Sequence, residues 1–552
     1  MQRLTFFALL FLFASSFALH VARAQDIDLK LRYQVPIAEE SERFHRLLRE
    51  ETWQPSRTAV IVCDMWDSHH CVNAVRRVAQ LTPRIDQFCR SLRGRGVTII
   101  HAPSSCMKAY EKNLARNRTL AVPSAADYPE DIASWCDQVP SEEAAAYPVD
   151  QSEGGEDDDA LDHRQWAERL AAIGRNPRSP WLAQVAGIFI DEKQDFISDS
   201  GKEIWNVLQS KEIQNVVLVG VHTNMCVLGR PFGLRRLAAA GKNVVLCRDL
   251  TDTMYNPEAW PYASHFTGTD LVVSHIEKYV CPTIASDQVL GSEPLRFAKD
   301  LRPRLLMIVA EDEYETEVTL PKFAAKHLSR SFSVSVVHGS EEERHRIPGI
   351  EHALSDADAI LVSVRRRALD KANMLAIEQF VRSGKPVIGI RTASHAFSLR
   401  DKPTPQGKAV WKDFDAQVFG GSYAGHYGNN LVSTVSLAAS STSHLILDAT
   451  DSQAIQPGGS LYRTAPLAEG ALPLLMGTVE NEPSHPLAWT FIRSDGGRSF
   501  YTSLGHKVDF EQPAFETLLA AGIHWACGLE PYSQSEIEKQ NARYAAGSGK
   551  QR

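Results

Sequence analysis

Residues 215–227 read NVVLVGVHTNMCV, an apolar run that is followed by polar residues and then a cysteine. The run at 215–221 predicts a buried parallel strand, and the residues from Cys226 to Gly241 have the apolar spacing of a helix. A thiol at such a strand-to-helix junction meets free backbone N–H groups and the positive end of the helix dipole, which favour the thiolate. We therefore take Cys226 as a candidate nucleophile and expect its pKa to be lowered.

Strand-like and helix-like segments alternate on both sides of this stretch. The alternation occurs in two series, so it predicts an α/β protein with two three-layer α/β/α domains and mainly parallel sheets. The strands predicted in the first series are TAVIVCDM (58–65), VTIIHAPS (97–104), GIFI (187–190), the run at 215–221 and NVVLCRDL (243–250). Those predicted in the second series are RLLMIVAEDE (304–313), FSVSVVHG (332–339), DAILVSV (358–364), PVIGIRTA (386–393) and SFYTSLGH (499–506).

The pattern divides the chain into domains and flanking segments. We predict a signal peptide at 1–24, an N-terminal arm at 25–54, a first domain at 55–295, a second domain at 296–532 and a polar C-terminal tail at 533–552. The first domain carries an acidic insertion at 138–165. Its part at 141–162 has nine acids and no Lys or Arg, which predicts a solvated surface segment. A calcium loop is the alternative, although the ligand spacing of an EF-hand is missing.

Two further polar residues accompany Cys226 in the first series. Asp64 follows the apolar part of the strand at 58–65, and Lys193 comes just after GIFIDE. Because parallel strands bring their carboxyl ends to one edge of a sheet, we expect these three side chains to meet there. Taken singly, Cys226 could fill the core, Asp64 could cap a strand end and Lys193 could be a surface residue. Their order and placement favour a catalytic site.

In these residues the chain resembles the isochorismatase-like cysteine hydrolases, over about residues 55–285. The resemblance implies a triad in which Cys226 attacks a carbonyl carbon to form a thioester, Asp64 carries the proton and Lys193 places its charge between them. It also implies an oxyanion hole made by the backbone N–H groups of His222 and Cys226, with a cis peptide bond between Val221 and His222.

Residues near Asp64 and Cys226 are candidates for contact with a substrate. Trp66, His69, Thr223 and Asn224 lie on the loops that leave the two strands. Asp67, Ser68 and His69 also form a D-x-H motif, but a metal site needs three or more convergent ligands. We therefore expect substrate contact or simple loop polarity there, and we expect neither a metal nor a cofactor.

The second series contains EDEY (311–314), GIRTASHAF (389–397), GGSYAGHYGN (420–429), HPLAWT (485–490) and FYTSLGH (500–506). In these words it resembles the ThuA-like, trehalose-utilisation family over about residues 303–530, which implies a class I glutamine amidotransferase-like fold, related to the flavodoxin-like folds. That fold would place a nucleophilic cysteine on the turn after PVIGI, where this chain has Arg391. An arginine cannot act as an acyl nucleophile, so glutaminase chemistry is not expected.

Polar side chains nevertheless gather around that turn of the second series. They suit a polar ligand such as a sugar, or alternatively they cap strand ends and satisfy loop backbone. These residues are Arg391, Ser394, His395, His426 and His506.

Composition limits the partners and the location of the chain. The formal charge of -8 over 552 residues argues against nucleic-acid binding. Arg3, an apolar run and the sequence Ala22-Arg23-Ala24 have the form of a secretory signal, so we expect export and no membrane association after its removal. A membrane anchor is the alternative, but the apolar run is short for a span. The nine cysteines leave at least one thiol unpaired, and no disulfide connectivity follows from their spacing.

Together these features predict an exported cysteine amidohydrolase that acts on a small carboxamide or carbamoyl-type C–N bond. The second half would be an accessory or sugar-binding domain, and the partner of the first would be a small-molecule substrate. The alternative is a non-catalytic protein that binds a ligand or carbohydrate and keeps both folds. The sequence fixes neither the substrate nor the oligomeric state.

Overall fold

The structure is a computed structural model that describes residues 25–441 and 443–548. The predicted signal peptide at 1–24 lies outside the described residues. Within the described ranges, no helix combines the length and the apolar composition that a membrane crossing requires.

The first half of the chain forms an eight-stranded sheet in the order β2-β1-β8-β7-β6-β3-β4-β5. The strands from β3 to β8 pair in parallel, and the β1–β2 hairpin joins the edge of β8 in antiparallel orientation. The strands are β1 (Ile27–Pro36), β2 (Phe44–Trp53), β3 (Thr58–Cys63), β4 (Thr98–Ala102), β5 (Phe196–Ile197), β6 (Asn215–Val221), β7 (Asn243–Asp252) and β8 (Thr283–Ile284).

Helices cover both faces of this sheet and make it a three-layer domain. Alternate residues of β3 face opposite layers: Ile61 packs with the apolar side of α4, whereas Val62 packs with the apolar side of α1. All six residues of β3 are buried, as expected for a central parallel strand. The helices are α1 (Val72–Gly94), α2 (Leu114–Leu120), α3 (Ala160–Ala172), α4 (Gly201–Ser210), α5 (Leu234–Ala239), α6 (His265–Tyr279) and α7 (Asp287–Leu290).

The second half forms another eight-stranded sheet, in the order β10-β9-β11-β13-β18-β17-β16-β15. Its pairs from β10 to β18 are parallel, and its pairs from β18 to β15 are antiparallel. A separate pair, β12 and β14, forms a small antiparallel ribbon. The strands are β9 (Arg304–Ala310), β10 (Ser333–His338), β11 (Ala359–Val364), β12 (Leu369–Asp370), β13 (Val387–Ile390), β14 (Lys408–Ala409), β15 (Ser433–Leu437), β16 (Ala471–Val479), β17 (His485–Ile492) and β18 (Arg498–Thr502).

This sheet also lies between two helical layers. Met307 of β9 packs with the long apolar helix α13, while Ile308 packs with α10 on the other face. The predicted fold class, two α/β domains with mainly parallel sheets, is therefore confirmed. The helices are α8 (Thr316–Phe323), α9 (Ile350–Asp356), α10 (Lys371–Arg382), α11 (Phe414–Phe419), α12 (Leu445–Ala449), α13 (Pro513–Ala526) and α14 (Gln534–Ser548).

Two predicted elements of the first domain differ in the structure. GIFI at 187–190 is not a strand, and the edge strand β5 begins only at Phe196. The predicted helix after Cys226 is interrupted: a five-residue π-helical segment, Thr223–Val227, is separated from α5 by a turn around Pro231. Proline lacks the N–H that a continuing helix would need at that point.

The flanking segments are part of the folded body. The predicted arm at 25–54 supplies β1 and β2, which pair along ten residues. The predicted polar tail at 533–552 is instead the helix α14 as far as the described residues extend. Its Tyr544 ring packs 4.5 Å from the ring of Trp260 in the first domain, and Arg543 forms an ion pair with Glu258. The last helix therefore joins the two domains.

The acidic insertion is partly docked: Glu143, Glu153 and Asp159 are exposed, as expected for a solvated segment, whereas Asp157 and Asp158 contact α1. Asp158 accepts hydrogen bonds from the amides of Val72 and Asn73, at 2.7 and 2.8 Å, and so caps the start of α1. Asp157 forms an ion pair with Arg77 of the same helix at 2.8 Å. Asp157 and Asp158 therefore bind backbone and side-chain groups of α1 that lie about 80 residues earlier in the chain.

Candidate active site

Asp64 and Cys226 meet because their strands are neighbours. β3 and β6 pair in parallel with Cys63 opposite Gly220, so the residues that follow both strands leave the sheet at the same edge. Asp64 turns away from the strand with a φ of 44°, in the left-handed region. The peptide bond between Val221 and His222 is cis, as the family resemblance implied.

The Asp64 carboxylate is fully buried and has partners on both oxygens. One oxygen accepts a hydrogen bond from the amide of Ser104 at 2.7 Å, and the other lies 3.1 Å from Nε of Arg230. Burial raises the pKa of Asp64, while the Arg230 guanidinium opposes this rise. Asp64 is therefore a better proton acceptor than an exposed aspartate.

The Cys226 thiol lies beside this carboxylate and is buried, with 7% of the residue exposed. Burial and the negative charge of Asp64 raise its pKa, and Arg230 lowers it in part. The sequence-based expectation of a lowered pKa is therefore wrong for the free protein. Cys226 does not begin a long helix, and burial together with the neighbouring carboxylate outweighs the effect of the backbone.

Lys193 does not join Asp64 and Cys226 in the structure. It is exposed and comes before β5, at the amino end of an edge strand, whereas Asp64 follows the carboxyl end of β3. Within the described part of the chain, no ion pair or hydrogen bond links its side chain to another group, and its amide hydrogen-bonds to Asp191. The prediction that Lys193 places its charge between Asp64 and Cys226 is therefore wrong in this structure.

Arg230 occupies the place expected for that cation. It comes four residues after Cys226, and its amide donates to the Cys226 carbonyl at 3.1 Å. Its guanidinium lies over the ring of Trp135 at 5.4 Å, and its side chain is 24% exposed. Residues four apart in a helical turn share a face, so the spacing from Cys226 was a signal that could have identified Arg230.

A small pocket opens beside Asp64. Trp66 and His69 line it, and Trp66 stacks on Trp181 with ring centroids 4.7 Å apart. Two buried polar atoms that line this pocket, Oγ of Ser68 and Nε2 of His222, have no hydrogen-bond partner among the described residues. The pocket has a volume of about 10 Å³, which holds one water molecule, so it offers an apolar wall and unused hydrogen-bonding groups but must widen to admit a substrate.

The histidines of this pocket are uncharged near neutral pH. Burial lowers the pKa of His222 to about 4, although Asp252 opposes the shift. Burial also lowers the pKa of His69 far below its usual value, and the neighbouring histidines add to this effect. A ligand in this part of the site would therefore meet neutral imidazole groups. The cation beside Asp64 is Arg230.

Thr223 and Asn224 hold the site together instead of facing a substrate. The Thr223 hydroxyl hydrogen-bonds to that of Thr251 at 2.6 Å. The Asn224 side chain bonds both the amide and the carbonyl of Met254, each at 2.9 Å. The polar groups of both residues are thus used to fix the π-helical segment against the end of β7, which corrects their prediction as substrate contacts.

The D-x-H motif does not form a metal site. Asp67 forms an ion pair with Arg175 at 2.8 Å, while Nδ1 of His69 accepts from the amide of Cys71 at 3.2 Å. Among the described residues, one other group has metal-ligand spacing: Cys71, Asp157 and Asp158. These two acids already serve the helix cap and the Arg77 ion pair, so the group is explained without a metal.

All nine cysteines lie in the described ranges, and none forms a disulfide. Eight of them are buried. Cys63 also lies near Asp64 and Arg230, but the thiol of Cys226 hydrogen-bonds to both side chains, and this contact distinguishes it.

The polar residues predicted for the second domain also come together. Arg391 follows β13 with a φ of 41°, in a 3₁₀ turn that also carries Ser394 and His395. The ring of Tyr462 connects the group, since Arg391, His395 and His426 all lie next to it, at 4.9, 6.0 and 6.4 Å. His506 approaches from the other side through Tyr314, with ring centroids 5.7 Å apart.

Comparison with known proteins gives a family for the second half. The family model described as trehalose utilisation, ThuA, matches residues 304–526, as the sequence resemblance predicts. A ThuA-like protein from Bacteroides uniformis is 18% identical, with 43% of this chain and 95% of that chain covered and a TM-score of 0.32. No curated protein matches the chain at a significant level.

The similar solved structures also include hydrolases. A cysteine hydrolase from Pseudomonas syringae pv. phaseolicola is 15% identical, covers 43% of this chain and 92% of its own, and has a TM-score of 0.26. An isochorismatase family protein from Burkholderia thailandensis is 12% identical, covers 43% of this chain and 97% of its own, and has a TM-score of 0.24.

Proposed function

We propose that the first domain is a cysteine hydrolase that cleaves a small carboxamide or carbamoyl-type C–N bond. The observation that supports this most directly is the buried Asp64 carboxylate, which lies beside the Cys226 thiol and 3.1 Å from Nε of Arg230. A nucleophile, a base and a fixed cation are thus present at one edge of the sheet, next to a pocket.

In the first step, Asp64 accepts the thiol proton as Cys226 Sγ bonds to the carbonyl carbon. The raised pKa of the buried carboxylate suits this role, because it brings the proton affinity of the carboxylate closer to that of the thiolate. Arg230 stabilises the negative charge that passes from carboxylate to thiolate, and as an arginine it stays protonated throughout. The backbone N–H groups of His222 and Cys226 are the proposed donors to the oxyanion.

In the second step, Asp64 returns the proton to the nitrogen as the C–N bond breaks, and ammonia or an amine leaves. Water then attacks the thioester while Asp64 accepts its proton. The C–S bond breaks, and the proton returns to Cys226 Sγ. The product is a carboxylic or carbamic acid, and the enzyme is restored with no net change in charge.

A screen for ammonia release tests this function. The full chain from Gln25 is incubated with primary carboxamides, ureides and carbamoyl compounds, beside a Cys226→Ala variant. We expect release from at least one class and none from the variant. Release that persists in Cys226→Ala would exclude the thioester route. A folded protein that binds but never releases ammonia would favour the non-catalytic binding alternative.

We also propose that the chain is exported. The support is the sequence of residues 1–24, with Arg3, the apolar run and the A-x-A site before Gln25. Expression with this segment, followed by N-terminal sequencing of the secreted fraction, is expected to give Gln25 as the first residue.

A further inference from the structure

The second domain buries a guanidinium group that makes no ion pair with any residue that the structure describes. Arg391 is 3% exposed, and one NH₂ group donates to the carbonyl of Ser503 at 2.9 Å. Its Nε has no hydrogen-bond partner, and among the described residues no carboxylate forms an ion pair with it. The rings of Tyr314 and Tyr462 lie on either side, 4.2 and 4.9 Å from the guanidinium carbon.

The carboxylates of this region are already engaged by the backbone. Asp509 accepts from three amides, Asp415 from two, and Glu311 from three amides and a hydroxyl group. Each stabilises a turn and keeps its negative charge. Burial alone would lower the pKa of Arg391, but the phenol groups of Tyr462 and Tyr314 and the charge of Asp509 raise it overall. No described carboxylate lies within ion-pair distance, so Nε of Arg391 is left without an acceptor.

Two more arginines add to the positive charge. Arg366 donates to the carbonyl of Ser398 at 3.2 Å, and its amide donates to the carbonyl of His395. Neither Arg366 nor Arg400 has an ion pair among the residues that the structure describes. Burial and the charge of Arg400 lower the pKa of Arg366. The hydrogen bond to His395 fixes the backbone of Arg366 against the 3₁₀ turn that carries Arg391.

His395 lies within the same positive field. Burial first, and then the charges of Arg366, Arg365 and Arg400, lower its pKa to about 2, so the imidazole is neutral. Its ring packs 4.5 Å from the ring of Tyr423. His395 is buried, Tyr423 is half-buried and the neighbouring His426 is exposed, so the aromatic part of this group extends to the surface.

We propose that this arginine cluster, formed by Arg366 and Arg391, is a binding site for a small molecule that carries a phosphate or carboxylate group. Guanidinium groups bind such oxyanions through paired N–H donors, and this cluster lacks the acids that would otherwise occupy them. The rings of Tyr423, Tyr462 and His395 would pack against the rest of the ligand. The site is independent of Cys226 chemistry.

Calorimetric titration of the full chain tests the site with three probes: glucose 6-phosphate, gluconate and glucose. The first carries phosphate, the second carboxylate, and the third carries no charge. We expect binding of at least one anionic probe, weakened by added salt, and binding of glucose at least tenfold weaker. Glucose binding as tight as that of both anionic probes, or no binding of either anion, would overturn the proposal.

Substitutions assign the binding to the cluster. Arg391→Met and Arg366→Met keep much of the side-chain volume and remove the charge, so each should weaken anion binding tenfold or more. Arg382→Met is the matched control, since Arg382 is exposed on α10 and pairs only with Glu378. If circular dichroism shows that Arg391→Met does not fold, the affinity of Arg366→Met still tests the proposal, because Arg366 is half-exposed. Unchanged affinity in folded Arg366→Met would contradict the proposed site.

Discussion

Nε of Arg230 lies 3.1 Å from the carboxylate of Asp64, and the same arginine follows Cys226 by four residues. One side chain thus connects the proposed base to the strand end that carries the nucleophile. Asp64 is fully buried, so its charge depends on this partner more than a surface aspartate would.

Arg230→Met is expected to reduce hydrolysis about a hundredfold, which corresponds to roughly 3 kcal/mol of transition-state stabilisation. The substitution removes the cation that stabilises charge on Asp64 and Cys226. Lys193→Met is the matched control, because Lys193 is exposed and distant from both groups. Steady-state kinetics of the two variants show which side chain is the catalytic cation. If Lys193→Met lost most of its activity while Arg230→Met turned over normally, the cation would be Lys193.

Asp64→Asn should make the Cys226 thiol more reactive while abolishing turnover. The Asp64 charge raises the pKa of Cys226, and Arg230, which lowers it, remains in the variant. More thiolate is then present at a given pH. Timed iodoacetamide labelling with peptide mapping measures the rate, and Cys247, which responds to Asp249, is the internal control. Slower labelling of Cys226 in the variant would contradict this electrostatic relationship.

The acid limb of the activity profile should lie above the ordinary aspartate value of about 3.9. Burial raises the pKa of Asp64, and the reaction needs this group ionised, so activity is lost as the pH falls through the raised value. In Arg230→Met the limb should move further up, because the opposing cation is gone. The pH dependence of kcat/KM is measured for the parent protein and for Arg230→Met. If both lost activity at the same acidic pH, the result would count against Asp64 as the base.

Glu142 is expected to stabilise the first domain in a pH-dependent way. Burial opposes its ionisation, but hydrogen bonds from His275 and Arg235 prevail and lower its pKa to about 2. Because the folded-state pKa lies below the unfolded value of about 4.3, this stabilisation is present above that value and is lost as the pH falls toward 2. The difference corresponds to about 3 kcal/mol.

Glu142→Gln should therefore lower the unfolding temperature at neutral pH and flatten its decline between about pH 4.5 and 2. The exposed neighbour Glu143→Gln is the control and should behave like the parent protein. Differential scanning calorimetry of the first-domain transition measures both. An equally steep acid decline in Glu142→Gln would show that other groups control it.

The sheet strands and the Asp64–Cys226 pair could be predicted because each depends on local pattern. The apolar run at 215–221 coincides with β6, and parallel pairing then sets which residues leave the sheet together. The edge strand β5 has only two residues, too few for a pattern, so the sequence instead predicts GIFI as a strand and Lys193 as the residue at its carboxyl end.

Long-range pairing explains the other differences. The acids at 141–162 look solvated because their partners, such as Arg77 and Arg235, lie far away in sequence. The spacing from Cys226 indicates that Arg230 shares a face with it, but the spacing does not show that the Asp64 carboxylate is buried. That burial, which makes Arg230 the counter-ion, cannot be obtained from composition and spacing.

Helix α14 protects an aromatic surface of the first domain from water. Its Tyr544 covers Trp260, and Gly547 allows close approach to both Trp260 and Tyr262. A protein without residues 534–548 would expose these rings as an apolar patch, and such patches promote aggregation. The helix therefore contributes to the solubility of the protein as well as to the contact between its domains.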